Sequence, residues 1–193
     1  MCQVYIEGGV IRKLWVFETY AYGEHLLRLD PESRRNRFCA EIDESMIRSY
    51  AATAHGPDTV LFGFFIDGML RGVADLRIVT DHQEAEAAFS IEKPWQRLGV
   101  GSALLERALL CARNRGIKHL HVNCLMENQR MQRLARRFEA EIVFDFGSVV
   151  GTMRNAVPTP ISLMRELTTD SQSLAAAYFD FHSRALMPQA VLQ

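Results

Sequence analysis

A glycine-broken turn, Gln96-Arg97-Leu98-Gly99-Val100-Gly101, separates a stretch that alternates with period two from one that repeats like a helix. Upstream, Glu84, Glu86, Ala88 and Ser90 alternate with Ala85, Ala87, Phe89 and Ile91, the pattern of a strand with unlike faces. Downstream, Val100, Leu104, Leu105, Ala108, Leu109 and Ala112 share one stripe of a helix from about Gly99 to Arg115, and Gly116 supplies its C-cap. Ile117 to Leu125 is then apolar and β-compatible. A strand-helix-strand unit of this kind predicts a right-handed crossover between parallel strands.

The elements on either side restrict the topology further. Ile11 to Phe17 reads as a first strand and Thr19 to Leu29 as a helix. A second helix restarts at Asp30-Pro31-Glu32, with Asp at the N-cap and Pro at the first position. A third covers Asp43 to Ala54, where Ile42, Met46, Ile47 and Tyr50 recur at helical spacing. Thr59 to Ile66 and Met69 to Val79 are strands joined at Asp67-Gly68, a hairpin signal. Asn128 to Phe138 reads as a short helix, and Glu141 to Phe146 with Val149 to Met153 as a closing hairpin over Gly147-Ser148. After the break at Val157-Pro158-Thr159-Pro160, Ile161 to Leu186 is helical. The order predicts an α/β (α+β) sandwich, with a mixed, mostly antiparallel central sheet flanked by helices, rather than a doubly wound parallel sheet. It divides into a lead-in (1–10), a main domain (11–156) and a helical tail (157–193).

Charge and cysteine usage narrow the function classes. Lys plus Arg (22) nearly balance Asp plus Glu (23), which argues against broad binding to nucleic acid or an anionic membrane. Arg130, Arg133, Arg136 and Arg137 still form a local basic patch. Cys2, Cys39, Cys111 and Cys124 are scattered, with no CxxC pair and no His partner at zinc spacing. They read as thiols in a reducing compartment rather than a disulfide framework or a metal site. No apolar run approaches a membrane span, and the N-terminus lacks a signal-peptide pattern, so a soluble cytoplasmic protein is expected.

The chemistry lies in Gln96-x-x-Gly99-x-Gly101. Glycines let backbone approach a ligand closely, and the helix behind them offers unpaired N–H groups and a partial positive charge. Together with Arg97 these suit a pyrophosphate, although a helix starting at glycines for close packing has the same spacing. Two other phosphate sites fail on residues. No Gly-x4-Gly-Lys-Ser/Thr string exists, and the third glycine of a dinucleotide fingerprint is replaced by Leu104.

Ala85 to Ile91, then Gln96 to Leu105, and later Asn128 with Leu134-Ala135-Arg136-Arg137-Phe138, resemble the GCN5-related N-acetyltransferase (GNAT) superfamily. Its hallmark is Arg/Gln-x-x-Gly-x-Gly/Ala after the fourth strand, and the detailed resemblance runs from Ala85 to Phe146. The resemblance implies acetyl-CoA as co-substrate, an amine as acceptor and direct transfer between them. It implies fourth and fifth strands that splay apart, with pantetheine held by backbone around Phe89, Ser90 and Ile91. Gln96, Arg97, Leu98, Gly99, Val100, Gly101 and Ser102 would form the pyrophosphate turn. Asn128 would contact the cofactor arm, and Arg133 the 3′-phosphate.

An ammonium cannot attack a thioester, so the reaction needs a base. Glu86 is the candidate, with an exposed strand charge as its plainer reading; Glu84, on the same face, is the reserve, and His82 and Asp75 are weaker options. Ala135 stands where many members carry a proton-donating tyrosine, and Phe138-Glu139-Ala140 replaces the usual glycine-phenylalanine. This departure keeps open a non-catalytic acyl-CoA sensor or assembly module. His119, His121 and the aromatics Trp15, Tyr20 and Tyr22 read as packing residues before catalytic or pocket ones, and Cys124 is not expected to carry an acyl group. Leu26 to Phe38 resembles bacterial members, including those fused to protein-lysine acetyltransferases. Whether the acceptor is a small molecule or a protein stays open. The apolar tail (Leu163, Leu167, Leu174, Tyr178, Phe179, Phe181) can bury itself on a partner, a homodimer among the outcomes.

Overall fold

Two aspartates start N-terminal helices, Asp30 as the sequence predicts and Asp43 in addition. Asp30 accepts the Ser33 N–H ahead of α2 (Pro31–Phe38), and Asp43 accepts the Met46 N–H ahead of α3 (Glu44–Ala52). The computed structural model describes residues 8–79 and 83–186; Cys2 and His82 lie outside them.

β1 (Gly9–Lys13) ends earlier than the predicted strand of Ile11 to Phe17 and begins inside the stretch read as a lead-in. Glu18 is the reason. Its carboxylate accepts both Arg12 guanidinium nitrogens, at 2.8 and 2.7 Å, and the Trp15 N–H at 3.1 Å. That geometry turns the chain through a short 3-10 segment at Val16–Glu18 into α1 (Thr19–Leu27).

β2 (Thr59–Ile66) and β3 (Met69–Val79) form the hairpin over Asp67-Gly68, both left-handed at φ 50° and 69° as a tight primed turn requires. After β4 (Glu84–Ile91) come α4 (Val100–Asn114), β5 (His119–Leu125) and α5 (Gln129–Arg137). The closing hairpin of β6 (Glu141–Asp145) and β7 (Ser148–Arg154) precedes α6 (Pro160–Leu186). The strands form one mixed sheet in the order β1-β2-β3-β4-β5-β7-β6. Every neighbouring pair is antiparallel except β4 and β5. Those two are parallel, and they pair only at Glu84↔His119, Ala85↔Leu120 and Glu86↔His121.

Period-two alternation sends the two faces of the sheet into separate cores. On one face Phe62, Phe64, Leu76, Ala85, Ala87 and Leu120 pack against Val100, Leu104, Leu105 and Ala112 of α4. On the other, Leu61, Phe65, Leu70 and Val73 pack against Tyr22 and Leu26 of α1 and Ile47 and Ala51 of α3. α6 lies over β1 and α4.

Gly63 of β2 leaves no room for a side chain against the second core. A Cβ there would sit 2.7 Å from Leu70 Cδ1 and Phe65 Cε2 and would also strike Leu14. Gly63→Ala is therefore expected to cost about 1–3 kcal/mol by overpacking. The check is chemical denaturation, with the midpoint falling and the slope unchanged.

Candidate active site

Once β4 and β5 stop pairing at Glu86↔His121, both run on, to Ile91 and Leu125, and a wedge opens between them. A cavity of about 350 Å³ lies along the end of β4 that β5 leaves unpaired. Its wall from β4 is Phe89, Ser90 and Ile91. The turn into α4 contributes Gln96, Arg97, Gly99, Gly101 and Ser102; α5 and its cap contribute Asn128, Arg130, Met131, Arg133 and Leu134; α2 contributes Ser33 and Asn36. Ten residues singled out from the sequence are thus brought together. Four others do not line it: Glu84 and Glu86 lie further back on β4, Leu98 is half exposed outside the cavity, and the Val100 side chain is buried in the α4 core.

Backbone dominates at the α4 end. Gly99 is left-handed at φ 85° and has no side chain with which to cap the helix. The first bond of the helix runs from Ala103 N–H to the Gly99 carbonyl, so the amides of Val100, Gly101 and Ser102 precede it. Arg97 is also left-handed, at φ 62°, a conformation that costs a non-glycine residue about 1–2 kcal/mol. Arg97, Arg130 and Arg133 put positive charge around the same amides, adding to the partial charge of the helix end. Phe89, Ile91, Met131 and Leu134 make the remainder of the cavity apolar.

Gln96 has a structural task. Its Nε2 donates to the Ile91 carbonyl at 2.8 Å and to Ser33 Oγ at 3.0 Å, while its Oε1 accepts from Arg130 at 2.6 Å. One side chain therefore ties the end of β4 to α2 and α5. Asn128 caps α5 by accepting the Met131 N–H at 3.1 Å.

Glu86 sits at the apex of the wedge, on the last parallel rung. Its Oε1 accepts from Asn123 Nδ2 of β5 at 2.9 Å, which fixes the carboxylate across the narrow end. Glu84 Oε2 lies 3.8 Å from His121 Nε2, whose Nδ1 is 3.0 Å from Thr152 Oγ1. Asp75 is unavailable as a base. It is buried, accepts from Tyr50 and from Arg37 at 2.8 Å, and has Tyr22 and Arg77 close by. Burial works against the Arg37 charge, but Tyr22, Tyr50 and Asp75 more than offset it and hold the guanidinium protonated.

A second buried network backs β4 under the cavity. His25 of α1 is fully buried, with Nε2 2.9 Å from Ser90 Oγ and Nδ1 3.2 Å from Glu92 Oε1. Glu92 also accepts from Arg28 at 3.0 Å and Arg71 at 2.8 Å. Burial raises the Glu92 pKa, but the bonds from His25 and Arg71 outweigh it and hold the group below its ordinary range. Burial drives the His25 pKa down. A neutral imidazole facing an ionised carboxylate must donate from Nδ1, so Nε2 accepts the Ser90 hydroxyl.

The remaining candidates sort by burial. Tyr22 is in the core and Tyr20 is exposed. Burial pushes the Cys124 thiol up to about 11 and Cys111 up to about 12, so neither is a thiolate at neutral pH. Ala135 packs under β7, where a Cβ on Gly151 would lie 3.1 Å from it, so its position belongs to the core. The sequence did not single out Ser33, Asn36 or Met131, and it marked Arg130 only as part of a basic patch and Leu134 only within the family resemblance. The signal for the α5 set was there: Arg130, Met131, Arg133 and Leu134 recur at helical spacing after the Asn128 cap.

The profile of the acetyltransferase (GNAT) family matches residues 24–139, well over half the chain. The chain belongs to this family. A search of curated proteins returns no match. Among solved structures, the GNAT domain of an S. lividans protein, PAT, is 23% identical with a TM-score of 0.66, over 75% of this chain and 89% of that one. The ribosomal-protein-S18-alanine N-acetyltransferase of Escherichia coli is 16% identical with a TM-score of 0.60, over 79% and 97%. A putative acetyltransferase from Salmonella typhimurium, solved with its cofactor acetyl-CoA, is 15% identical with a TM-score of 0.57, over 79% and 98%. The fold shared with these GNAT proteins is the mixed sheet flanked by helices. Among the described residues no helix is long and apolar enough to cross a membrane.

The His25 network makes stability sensitive to pH in one direction. Its folded pKa lies below the unfolded value of 6.5, so between the two the unfolded chain binds more protons. Stability is full above pH 6.5 and declines as the pH falls through that window. In thermal unfolding between pH 8 and 5, His25→Gln is expected to lower Tm throughout and to make its fall below pH 6.5 shallower.

Proposed function

We propose that the protein transfers an acetyl group from acetyl-CoA directly to a primary amine, with Glu86 as general base. The observation that carries this reading is the wedge itself: an unpaired β4 edge ends at a helix N-terminus on one side and at an anchored carboxylate on the other.

The parts of the cavity match the parts of the donor. The amides of Val100, Gly101 and Ser102, ringed by Arg97, Arg130 and Arg133, suit a pyrophosphate and a further phosphate. Phe89, Ile91, Met131 and Leu134 suit the pantetheine arm, and the β4 edge facing β5 leaves backbone groups free to pair with its amides as an added strand would. Such pairing directs the thioester toward the apex. Backbone N–H groups of β4 then donate to the carbonyl oxygen as it gains charge. Glu86 takes a proton from the incoming ammonium, its carboxylate held by Asn123 so that the attacking nitrogen keeps its alignment. Raised thiol pKa values at Cys124 and Cys39 support direct transfer over an acyl-cysteine. The core position of Ala135 supports departure of the thiolate without a donor from α5.

The test is CoA release with acetyl-CoA and a panel of small amines, N-terminal peptides and lysine peptides. Glu86→Gln is expected to lower kcat by roughly 10²-fold, the size of a lost general base, with little change in acetyl-CoA affinity. Raising the pH should recover part of the loss by deprotonating the amine in solution. Tight acetyl-CoA binding with no turnover on any panel member would favour an acyl-CoA sensor built on the same fold.

A further inference from the structure

Helix α6 is docked inside out. The side it turns to its own domain is polar or small: Ser162, Ser173 and Ala177 are buried, with Glu166 and Asp170 between them. These residues make polar contacts. Ser162 and Glu166 bond Asn114, Glu166 pairs with Arg115 at 2.8 Å, and Asp170 pairs with Arg107 at 3.3 Å and Lys13 at 3.6 Å. The apolar residues point outward instead. Leu163, Met164, Leu167, Leu174 and Tyr178 are 42 to 68% exposed.

At 100° per residue these five fall on one stripe with Ser171, roughly 110° around from the docked face and about 22 Å long. Steps of three and four residues along it are those of a helix-helix seam. The stripe carries no charge, and the charged groups beside it, Glu166 and Asp170, are already paired within the domain. The Ser171 hydroxyl in the stripe and the Thr168 hydroxyl beside it bond the Leu167 and Met164 carbonyls at 2.9 Å. α6 lies beyond the family-matched residues.

We infer that α6 pairs with α6 of a second copy of this chain, antiparallel, about a two-fold axis at Ser171. In that register the stripe is self-complementary. Small Ser171 meets itself where the helices come closest, Leu167 meets Leu174 of the other copy, and Met164 meets Tyr178. A two-fold contact requires such reciprocity, because one patch must fit itself. The uncharged seam puts no like charges across the axis. Charge also argues against a lipid surface, since Arg165 is the only basic residue from Pro160 to Phe179, where an interfacial helix needs a basic polar face.

Sedimentation equilibrium of the full chain at micromolar concentration is expected to give twice the chain mass. Leu167→Glu and Leu174→Glu, each at an exposed position, should both return the monomer with an unchanged circular dichroism spectrum and Tm at low concentration. Under mild oxidation Ser171→Cys should cross-link through position 171, identified by mass spectrometry, whereas Gln172→Cys on the far side should not. A wild-type monomer at about 100 µM, with or without binding to anionic vesicles, would overturn the inference. So would a dimer indifferent to both glutamates, or equal cross-linking at 171 and 172.

Discussion

The rest of the structure depends on a failure of two strands to pair. A sheet normally satisfies the backbone of each inner strand on both sides, and leaving edge groups unmade costs hydrogen bonds. Here β4 and β5 give up that pairing after Glu86↔His121, in the middle of a seven-stranded sheet. The neighbours compensate. β4 is held through its whole length by β3, from Val79↔Glu84 to Gly72↔Ile91, and β5 through its whole length by β7. The wedge thus has two rigid walls, and its open edge is available to a ligand whose amides can replace the missing strand.

Buried polar groups hold those walls from behind. Burying charge is expensive and stabilises only when every partner is present. Two such clusters stand on the same face of the sheet as Glu86. One joins Asp75 to Arg37, Tyr22 and Tyr50, fastening α1, α2 and α3 to β3. The other joins His25 to Ser90 and Glu92, fastening α1 to the part of β4 that lines the cavity. Together with Gln96, which pins the end of β4 to α2 and α5, they fix β4 where a ligand would use its backbone. Removing one partner leaves the others buried and unpaired, so these positions tolerate change poorly.

Much of this was legible in the sequence because it is local. Alternation in Glu84 to Ile91, the α4 stripe, the Asp-Gly hairpin and the Asp30 cap each need only neighbouring residues, and each forms within a residue or two of the reading. The first strand was misplaced because Arg12 and Trp15 both bond Glu18, a contact that overrides strand propensity in Leu14 to Phe17. Asp75 stood among the weaker options for the base because nothing near it in sequence reveals Arg37 and Tyr50. Ser33 and Asn36 were missed for the same reason: α2 reaches the cavity only through tertiary packing. The helical tail was legible as apolar, but that its apolar side faces outward depends on Arg107 and Arg115 capturing its acidic residues.

The central claim is that the α4 N-terminus and the open β4 edge form one donor site, and Gly101 tests it most directly. A Cβ on Gly101 would meet Leu134 Cδ2 at 3.4 Å and Ile91 Cδ1 at 3.5 Å, ordinary contacts that the fold accommodates. Calorimetric titration with acetyl-CoA should therefore give binding to the wild type, and at least a tenfold loss in Gly101→Asp with little change in the ligand-free Tm. Equal affinity in the two proteins, or no binding to the wild type at millimolar acetyl-CoA, would contradict the account.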